Sequence, residues 1–516
     1  MPLNPDAATG QPPSLATRTW VPGLIALAAT VVLGLLALDH QSLWSDELGT
    51  WRVTVADSWP HWFTQLIYWP NSDAQIPLYH LYMRAWVQVF APSEIALRAA
   101  NLPWIFLAFL AIATTPVAGA ARRVVLLVAL ALLLHAMVWY YTDEARPYAM
   151  ILAGACVAGS GLLTRLLNPG DASRAAASDT RLILGTAMLC ATSIIGVLWS
   201  VSFLLPVLPC LVRERWGWQR LTRGNIVLGL VCALALLPIA YLYAATVIHG
   251  ISATAFHENT LQSFAFGLYE IAGFSGMGPG REELRVAGGA ALAPYAALLA
   301  LYGLLVGGTV LLGLWSSARR NRAQFLWLVI AALIPLVMLY ALGTIKHWRV
   351  VGRHMMPLLF FFVLFLAYGL ASLLGPGLSG AAKWSRRACA GLVLAVLLAS
   401  SLQITRAERH QREDFRAATK MAAALLAAHQ RVWWVAQSFG AEYYRLPFVP
   451  ASDCAAADGQ GVVLLESPPA QVLAACPEPQ TIFVGRYDTE GTVGPYARDH
   501  GFRKIGALTG FEIFGK

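Results

Sequence analysis

The sequence predicts an all-α polytopic membrane protein of about eleven transmembrane helices, followed by a small C-terminal α/β domain outside the membrane. Three observations carry this expectation. Of the 516 residues, 57% are hydrophobic and 13% charged, whereas a soluble globular chain carries about 25% charge. The apolar residues come in uncharged blocks, many of them the roughly 18 residues that let a helix cross a hydrocarbon core. After residue 405 the pattern changes to alternating short helical and strand-like runs. The formal charge of +9 is no nucleic-acid signature. In a membrane chain the placement of charge is informative, not its sum.

Residues 1–19 are rich in Pro and Ala and read as a disordered cytoplasmic tail. The membrane domain spans residues 20–404. Its first block, Trp20–Leu38, follows Arg18, and no small-x-small cleavage site follows before Trp44, so it reads as an uncleaved anchor. The later spans are expected at Ile95–Ala118, Val124–Tyr141, Tyr148–Leu167, Leu182–Leu198, Val201–Val212, Ile226–Val247, Ala290–Trp315, Phe325–Leu342, Met356–Leu374 and Ala388–Leu402. Pro77–Phe90 is left out of this set. It is short, contains Arg84 and Gln88, and as a span would put Arg122 and Arg123 outside. With Tyr79, Tyr82, Trp86 and Phe90 along it, this stretch reads as a helix lying in the outer interface.

Charge placement supports this topology. The inner segments hold 16 Lys/Arg and four acids, while the outer loops and span ends before residue 405 hold nine Lys/Arg and 12 acids. Basic residues stay on the cytoplasmic side. The expected topology is therefore a multi-pass membrane protein with the N-terminus cytoplasmic and the C-terminal domain extracytoplasmic. Every histidine but His135 falls outside; His135 reads as a packed or hydrogen-bonded core residue. The domain 405–516 shows a helical run at Glu413–His429 and strand-like runs at Val432–Ala436, Val462–Leu465 and Thr481–Val484, a small α/β pattern. It also holds Cys454 and Cys476, the two cysteines outside the spans, for which a disulfide and two free thiols both stay open. There is no Walker loop, dinucleotide fingerprint, internal repeat or Cys/His metal spacing.

Polar chemistry gathers in the outer loops. In the first, residues 39–94, Asp46 and Glu47 stand side by side just past the first span. A carboxylate there can act as a general base toward an acceptor hydroxyl; its neighbour can orient the acceptor or bind a divalent cation. The competing reading is a pair of solvated surface acids. The loop continues through His61, Trp62, Tyr68, Trp69 and Asn71 to Tyr79 and His80, groups that suit a sugar or an interfacial belt. The second outer loop places Asp143, Glu144, Arg146 and Tyr148 within a few residues. Lys346, His347, Arg349, Arg353 and His354 run against the charge trend, as a site for a lipid phosphate would; pairing with the acids of the other loops explains them equally. Gly273–Arg285 is Gly-rich and then charged, and reads as a mobile cover.

The order of these features carries a resemblance. An aspartate–glutamate doublet follows the first span. Pro77-Leu78-Tyr79-His80 opens an interfacial helix, Ser93-Glu94-Ile95-Ala96-Leu97-Arg98 the next span, and Glu144-Ala145-Arg146-Pro147-Tyr148 follows. Over Ser42–Met150 in motif, and to about residue 404 in plan, the chain resembles the GT-C glycosyltransferases. Within them it is similar to the protein O-mannosyltransferase-like family 39, which includes the lipid A aminoarabinose transferases. The resemblance implies an inverting hexosyl- or pentosyltransferase that draws sugar from a polyprenyl-phosphate donor on the outer face of the membrane. Its acceptor would be an envelope glycan, lipid or protein, as in lipopolysaccharide modification. It implies no firm cofactor, a divalent cation being the one candidate, and no nucleic-acid partner. By it Asp46 is the base with Glu47 beside it, Glu144 and Arg146 line the cavity, and the Lys346–Arg353 group meets the donor phosphate. The rival reading is a lipid or solute transporter or flippase. It would place ionisable groups at mid-membrane depth, but these spans are nearly free of charge, with Arg98 and Arg165 close enough to span ends to reach the interface.

Overall fold

Each expected apolar block coincides with a helix wherever it is described. The computed structural model describes residues 20–68, 75–117, 119–167, 172–207, 222–248, 258–375, 379–456, 461–466, 470–485 and 492–516. The tail 1–19 and residues Trp69, Asn71 and Cys210 lie outside this set, as do Arg213, Arg215 and Arg220, which the sequence assigns to the inner side. Among the described residues six helices are long and apolar enough to cross a membrane: Glu94–Ala113, Tyr148–Leu167, Arg223–Ala245, Arg281–Arg320, Arg322–Ile345 and Gly380–Arg406. A seventh is the pair Ala121–Leu133 and Ala136–Thr142, bent by 57°. Val21–Leu36, Ile194–Val207 and Leu358–Leu373 are apolar but shorter. The remaining block belongs to Ala172–Thr192, whose first half carries Arg174, Asp179 and Arg181.

Two breaks have local causes. His135 sits at the bend of the seventh span, where its Nδ1 accepts the Met137 N–H at 3.2 Å and caps the second half. Ser193, in extended backbone, accepts the Ile195 N–H at 3.2 Å and starts a new helix there. A hydroxyl at an N-cap satisfies a donor that the helix itself cannot. The fifth and sixth blocks therefore divide at Ser193, not near residue 200 as the apolar pattern predicts.

Small residues set the inner packing. Tyr148–Leu167 and Leu358–Leu373 are buried almost throughout. Added Cβ atoms on Gly161 and Gly185 would lie 2.7 Å from the Ser178 carbonyl oxygen and 2.2 Å from the Ala158 nitrogen. Such glycines let helix backbones meet where no hydrophobic force drives them together. At the other extreme, Arg223–Ile248 leaves Leu230, Leu234 and Leu237 at least 60% exposed, a face fit for lipid. The segment expected at the interface is a helix, Pro77–Val87, with Tyr79 and His80 buried and Tyr82 packed edge-on against Trp104 at 5.0 Å.

The C-terminal domain is a six-stranded sheet. Its strands are β1 (Val432–Val435), β2 (Phe448–Pro450), β3 (Val462–Leu464), β4 (Thr481–Gly485), β5 (Arg503–Leu508) and β6 (Phe511–Gly515), in the order β2-β3-β1-β4-β6-β5. The first four are parallel, and β6 and β5 add an antiparallel hairpin. Sequence patterning finds β1, β3 and β4, which are short apolar runs at the buried centre. It misses β2 and the hairpin at the edges, where exposed residues alternate in. Cys454 and Cys476 form a disulfide with a Cα–Cα distance of 5.4 Å, fastening the turn after β2 to the helix after β3.

Candidate active site

The acidic doublet opens the Ser45–Thr54 helix, and adjacent positions on a helix face different ways. Glu47 points inward and is fully buried. Arg98 grips it with a two-pronged contact, Nε to Oε1 at 2.9 Å and Nη2 to Oε2 at 2.7 Å. The Ala145 N–H donates to Oε1 at 2.8 Å, and the Trp44 N–H to Oε2 at 3.3 Å, closing the helix start. Burial alone would raise the Glu47 pKa; Arg98, Arg412 and the Ala145 N–H outweigh it and hold the carboxyl below its ordinary 4.5. Both oxygens are occupied, so Glu47 ties the Ser45–Thr54 helix to Arg98 and to the segment at Ala145. Arg98 is likewise fully buried, not at the interface where its position near a span end suggested. Its other contacts are the carbonyls of Gln41 and Ser42, at 2.8 and 3.0 Å, Asp39 at 3.4 Å and Asp143 at 4.0 Å.

Asp46 points the other way. Its side chain is 29% exposed and accepts a hydrogen bond from Arg353 Nη1 at 2.7 Å. Arg146 approaches from the second loop, its Nη1 reaching the Asp46 carbonyl oxygen at 3.4 Å and Thr50 Oγ1 at 3.2 Å. Arg146, Tyr148, Arg353 and His354 then line one cleft with Gln75, Ile76, Trp199 and Trp348. Two guanidinium groups thus share a partly apolar cleft, and Asp46, not itself in the lining, joins it through Arg353. Arg353 is placed there by its own turn: Glu270 accepts the Gly352 N–H at 3.1 Å, and a Cβ on Gly352 would lie 2.3 Å from that carboxylate.

The remaining candidates divide. Asp143 is buried against Arg412 at 3.2 Å and receives the Asp39 N–H at 3.0 Å; burial pushes its carboxyl up against the pull of Arg412 and Arg98. Glu144 is fully buried, and neither carboxylate oxygen has a hydrogen-bond partner among the described residues. Burial, against Arg412, Arg281 and Arg353, lifts it to about 7. The Tyr79 hydroxyl is buried without a partner too, and His80 is buried beside it. Lys346, His347 and Arg349 lie on the exposed surface, outside the residues that line the cleft. Of the basic segment only Arg353 and His354 reach it. Among the described residues no three His, Cys, Asp or Glu side chains converge as metal ligands.

The Gly-rich segment is fastened, not a loose cover. Added Cβ atoms on Gly276, Gly278 and Gly280 would fall within 2 Å of Ser400, Tyr269 and Arg409 atoms. Arg409 donates to the carbonyls of Gly278 and Gly276 at 2.9 and 3.0 Å. The glycines serve close approach. Beyond them Arg281 bonds Glu270 and the Tyr140 hydroxyl, both at 2.7 Å.

Glu270, Arg281 and Arg412 are the site residues that sequence reasoning missed. Glu270 left a faint signal, an acid near the end of an apolar outer stretch; Arg412 left none among the dozen basic residues of the tail.

No family model and no curated protein matches the chain. Solved structures do, among them two of one protein. ArnT from Cupriavidus metallidurans bound to undecaprenyl phosphate matches with a TM-score of 0.50 and 13% identity, over 96% of this chain and 98% of that one. The same protein in the apo state matches with a TM-score of 0.51 and 13% identity, over 95% and 97%. Apolar helices and C-terminal sheet together, the chain shares the fold of these ArnT structures.

Proposed function

We propose that this protein is an inverting glycosyltransferase of a bacterial inner membrane. It moves a sugar from a polyprenyl-phosphate donor to an envelope glycan, lipid or protein on the outer face. The observation that carries this reading is the pairing at the cleft: Asp46, partly exposed, is hydrogen-bonded to Arg353 at 2.7 Å, and Arg146 contacts the same helix turn. The undecaprenyl phosphate bound by the ArnT structure of the same fold supports a donor of that class.

The chemistry needs a base and cations. Asp46 accepts the proton of the acceptor hydroxyl as its oxygen attacks the anomeric carbon. The bond from that carbon to the phosphate oxygen breaks, and the electron pair leaves with the polyprenyl phosphate. Arg353 and Arg146 offset the charge that develops on the phosphate, where a cleft sheltered from water strengthens them. Attack opposite the leaving group in a single displacement inverts the sugar carbon. The apolar part of the lining, with Trp199, Ile151 and Ile195, suits the first isoprene units.

Asp46→Asn keeps size and hydrogen bonding but removes basicity. Turnover of a radiolabelled polyprenyl-phosphate sugar by purified protein should fall about 100-fold or more, with donor binding retained. Near-normal turnover by this variant would defeat the mechanism. A flippase would instead move the lipid between leaflets without consuming it. The N-terminus lies inside and the C-terminal domain outside, so a reporter fused after Lys516 should be active only in the periplasm; cytoplasmic activity would overturn the span assignment.

A further inference from the structure

The C-terminal domain has no part in the chemistry above, yet its first residues are bound to the catalytic loop. Arg412, Glu413 and Asp414 link the last membrane helix region to the Phe415–Ala427 helix. Glu413 is 3% exposed, and its Oε2 accepts the Ser45 N–H at 3.1 Å. The Arg412 N–H donates to Gln41 Oε1 at 3.0 Å, and its guanidinium to the Asp143 carbonyl at 2.5 Å. The Arg416 N–H donates to Ser42 Oγ at 3.1 Å, and its side chain pairs with Glu94. From within the domain, the Tyr444 hydroxyl accepts the Leu43 N–H at 3.0 Å and shares a hydrogen bond with Ser42 Oγ at 2.9 Å.

The other side of this strap is held by the sheet. The Asp414 N–H donates to the Thr509 carbonyl at 2.8 Å, in the turn between β5 and β6. Gly510 in that turn has φ +80°, and a Cβ there would lie 2.5 Å from Glu413 Cγ. The β5–β6 turn therefore presses Glu413 onto the start of the Ser45–Thr54 helix. Ser45 is the first residue of that helix and Asp46 the second. The first N–H groups of a helix have no partner within it, and a carboxylate placed there also meets the positive end of the helix dipole. Here the partner comes from another domain, 368 residues along the chain.

We propose that the C-terminal domain is a positioning element for Asp46, with Glu413 as the positioning residue that fixes the start of the catalytic helix. The proposal rests on the reading of Asp46 as the base. It gives the domain a mechanical role in catalysis without a substrate contact of its own: the hairpin fixes the strap, the strap fixes Ser45, and Asp46 follows.

The test uses full-length protein in nanodiscs, comparing wild type with Glu413→Ala, Glu413→Gln and Tyr444→Phe. Hydrogen exchange in residues 43–54 reads the positioning directly. Glu413→Ala should speed exchange there at least about tenfold, with the Tyr148–Leu167 helix unchanged. Its kcat should fall about 10- to 100-fold, with the KM for the polyprenyl-phosphate sugar within about twofold, as for a misplaced catalytic group. Glu413→Gln keeps an acceptor for the Ser45 N–H and should recover most of both. Unchanged exchange in residues 43–54 of Glu413→Ala would overturn the proposal, as would faster exchange throughout the chain that Gln does not rescue. If Glu413→Ala does not fold, Tyr444→Phe, which loosens the same loop from the domain surface, is judged by the same criteria. An active Asp46→Asn alongside a loosened 43–54 segment in Glu413→Ala would defeat the functional reading alone.

Discussion

Replacing Glu47 by Gln should loosen the outer site, and that expectation separates the two carboxylates of the doublet. Arg98 and Glu47 are both fully buried and share two charge-assisted hydrogen bonds at 2.9 and 2.7 Å. In Glu47→Gln the side-chain amide would still offer a carbonyl to the Ala145 N–H, but its NH₂ group would turn donors toward the donors of Arg98. Neutralising one member of a buried pair leaves the other charged and uncompensated, at a cost of about 3–5 kcal/mol. Asp39, 3.4 Å from Arg98, retains part of the compensation, which puts the expected loss at about 3 kcal/mol. Asp46 is 29% exposed with a partner 27% exposed, so Asp46→Asn should cost only about 0–1 kcal/mol. Thermal unfolding in detergent, followed by size-exclusion chromatography, measures both. Glu47→Gln should melt clearly below wild type and Asp46→Asn close to it. Replacing Glu47 and Arg98 together by Met should recover much of the loss, because an apolar pair leaves no buried charge. A Glu47→Gln protein that melts like wild type but does not turn over would refute the reasoning and move the base to Glu47.

Two further outcomes follow from the cleft. Arg353→Ala should weaken binding of undecaprenyl phosphate to the purified protein about 10- to 100-fold, whereas Lys346→Ala and Arg349→Ala, both on the exposed surface, should change it little; equal losses in all three would disconnect the cleft from the phosphate. Glu144 holds its proton to about pH 7 in the folded protein and releases it near 4.5 when unfolded. The folded state thus binds more protons between these values, and stability falls as pH rises through that window, by about 3 kcal/mol in all. Glu144→Gln lacks this loss, so its thermal stability relative to wild type should rise from pH 4.5 to 7; a flat difference would mean that Glu144 ionises normally.

The disulfide shows where local reading stops. Cys454 and Cys476 stood apart from the cysteines of the spans, but two thiols 22 residues apart pair only if the chain between them returns. That return depends on β2 and β3 lying side by side, and β2 is a three-residue edge strand with exposed ends and a closing Pro450, too short and too punctuated to read as a strand. The same holds at the break between the fifth and sixth blocks. Hydrophobicity runs smoothly through Ser193, and only its extended backbone and capping bond end the helix.

Composition and block length determined the class of this protein, because a hydrocarbon core admits few arrangements of backbone and each leaves a length signature. Charge asymmetry and motif order pointed to the outer face and to the doublet, since basic residues stay on the cytoplasmic side and the acids gather opposite them. What lay beyond the sequence was which acid faces out. Helix geometry turned Glu47 into the core toward Arg98, 51 residues on, and left Asp46 beside Arg353, 307 residues on. Nor could it foretell that Arg412 and Glu413 of the tail would close over the first loop. Such pairings depend on where distant segments meet in three dimensions, and one charged side chain among many carries no mark of the partner it will find.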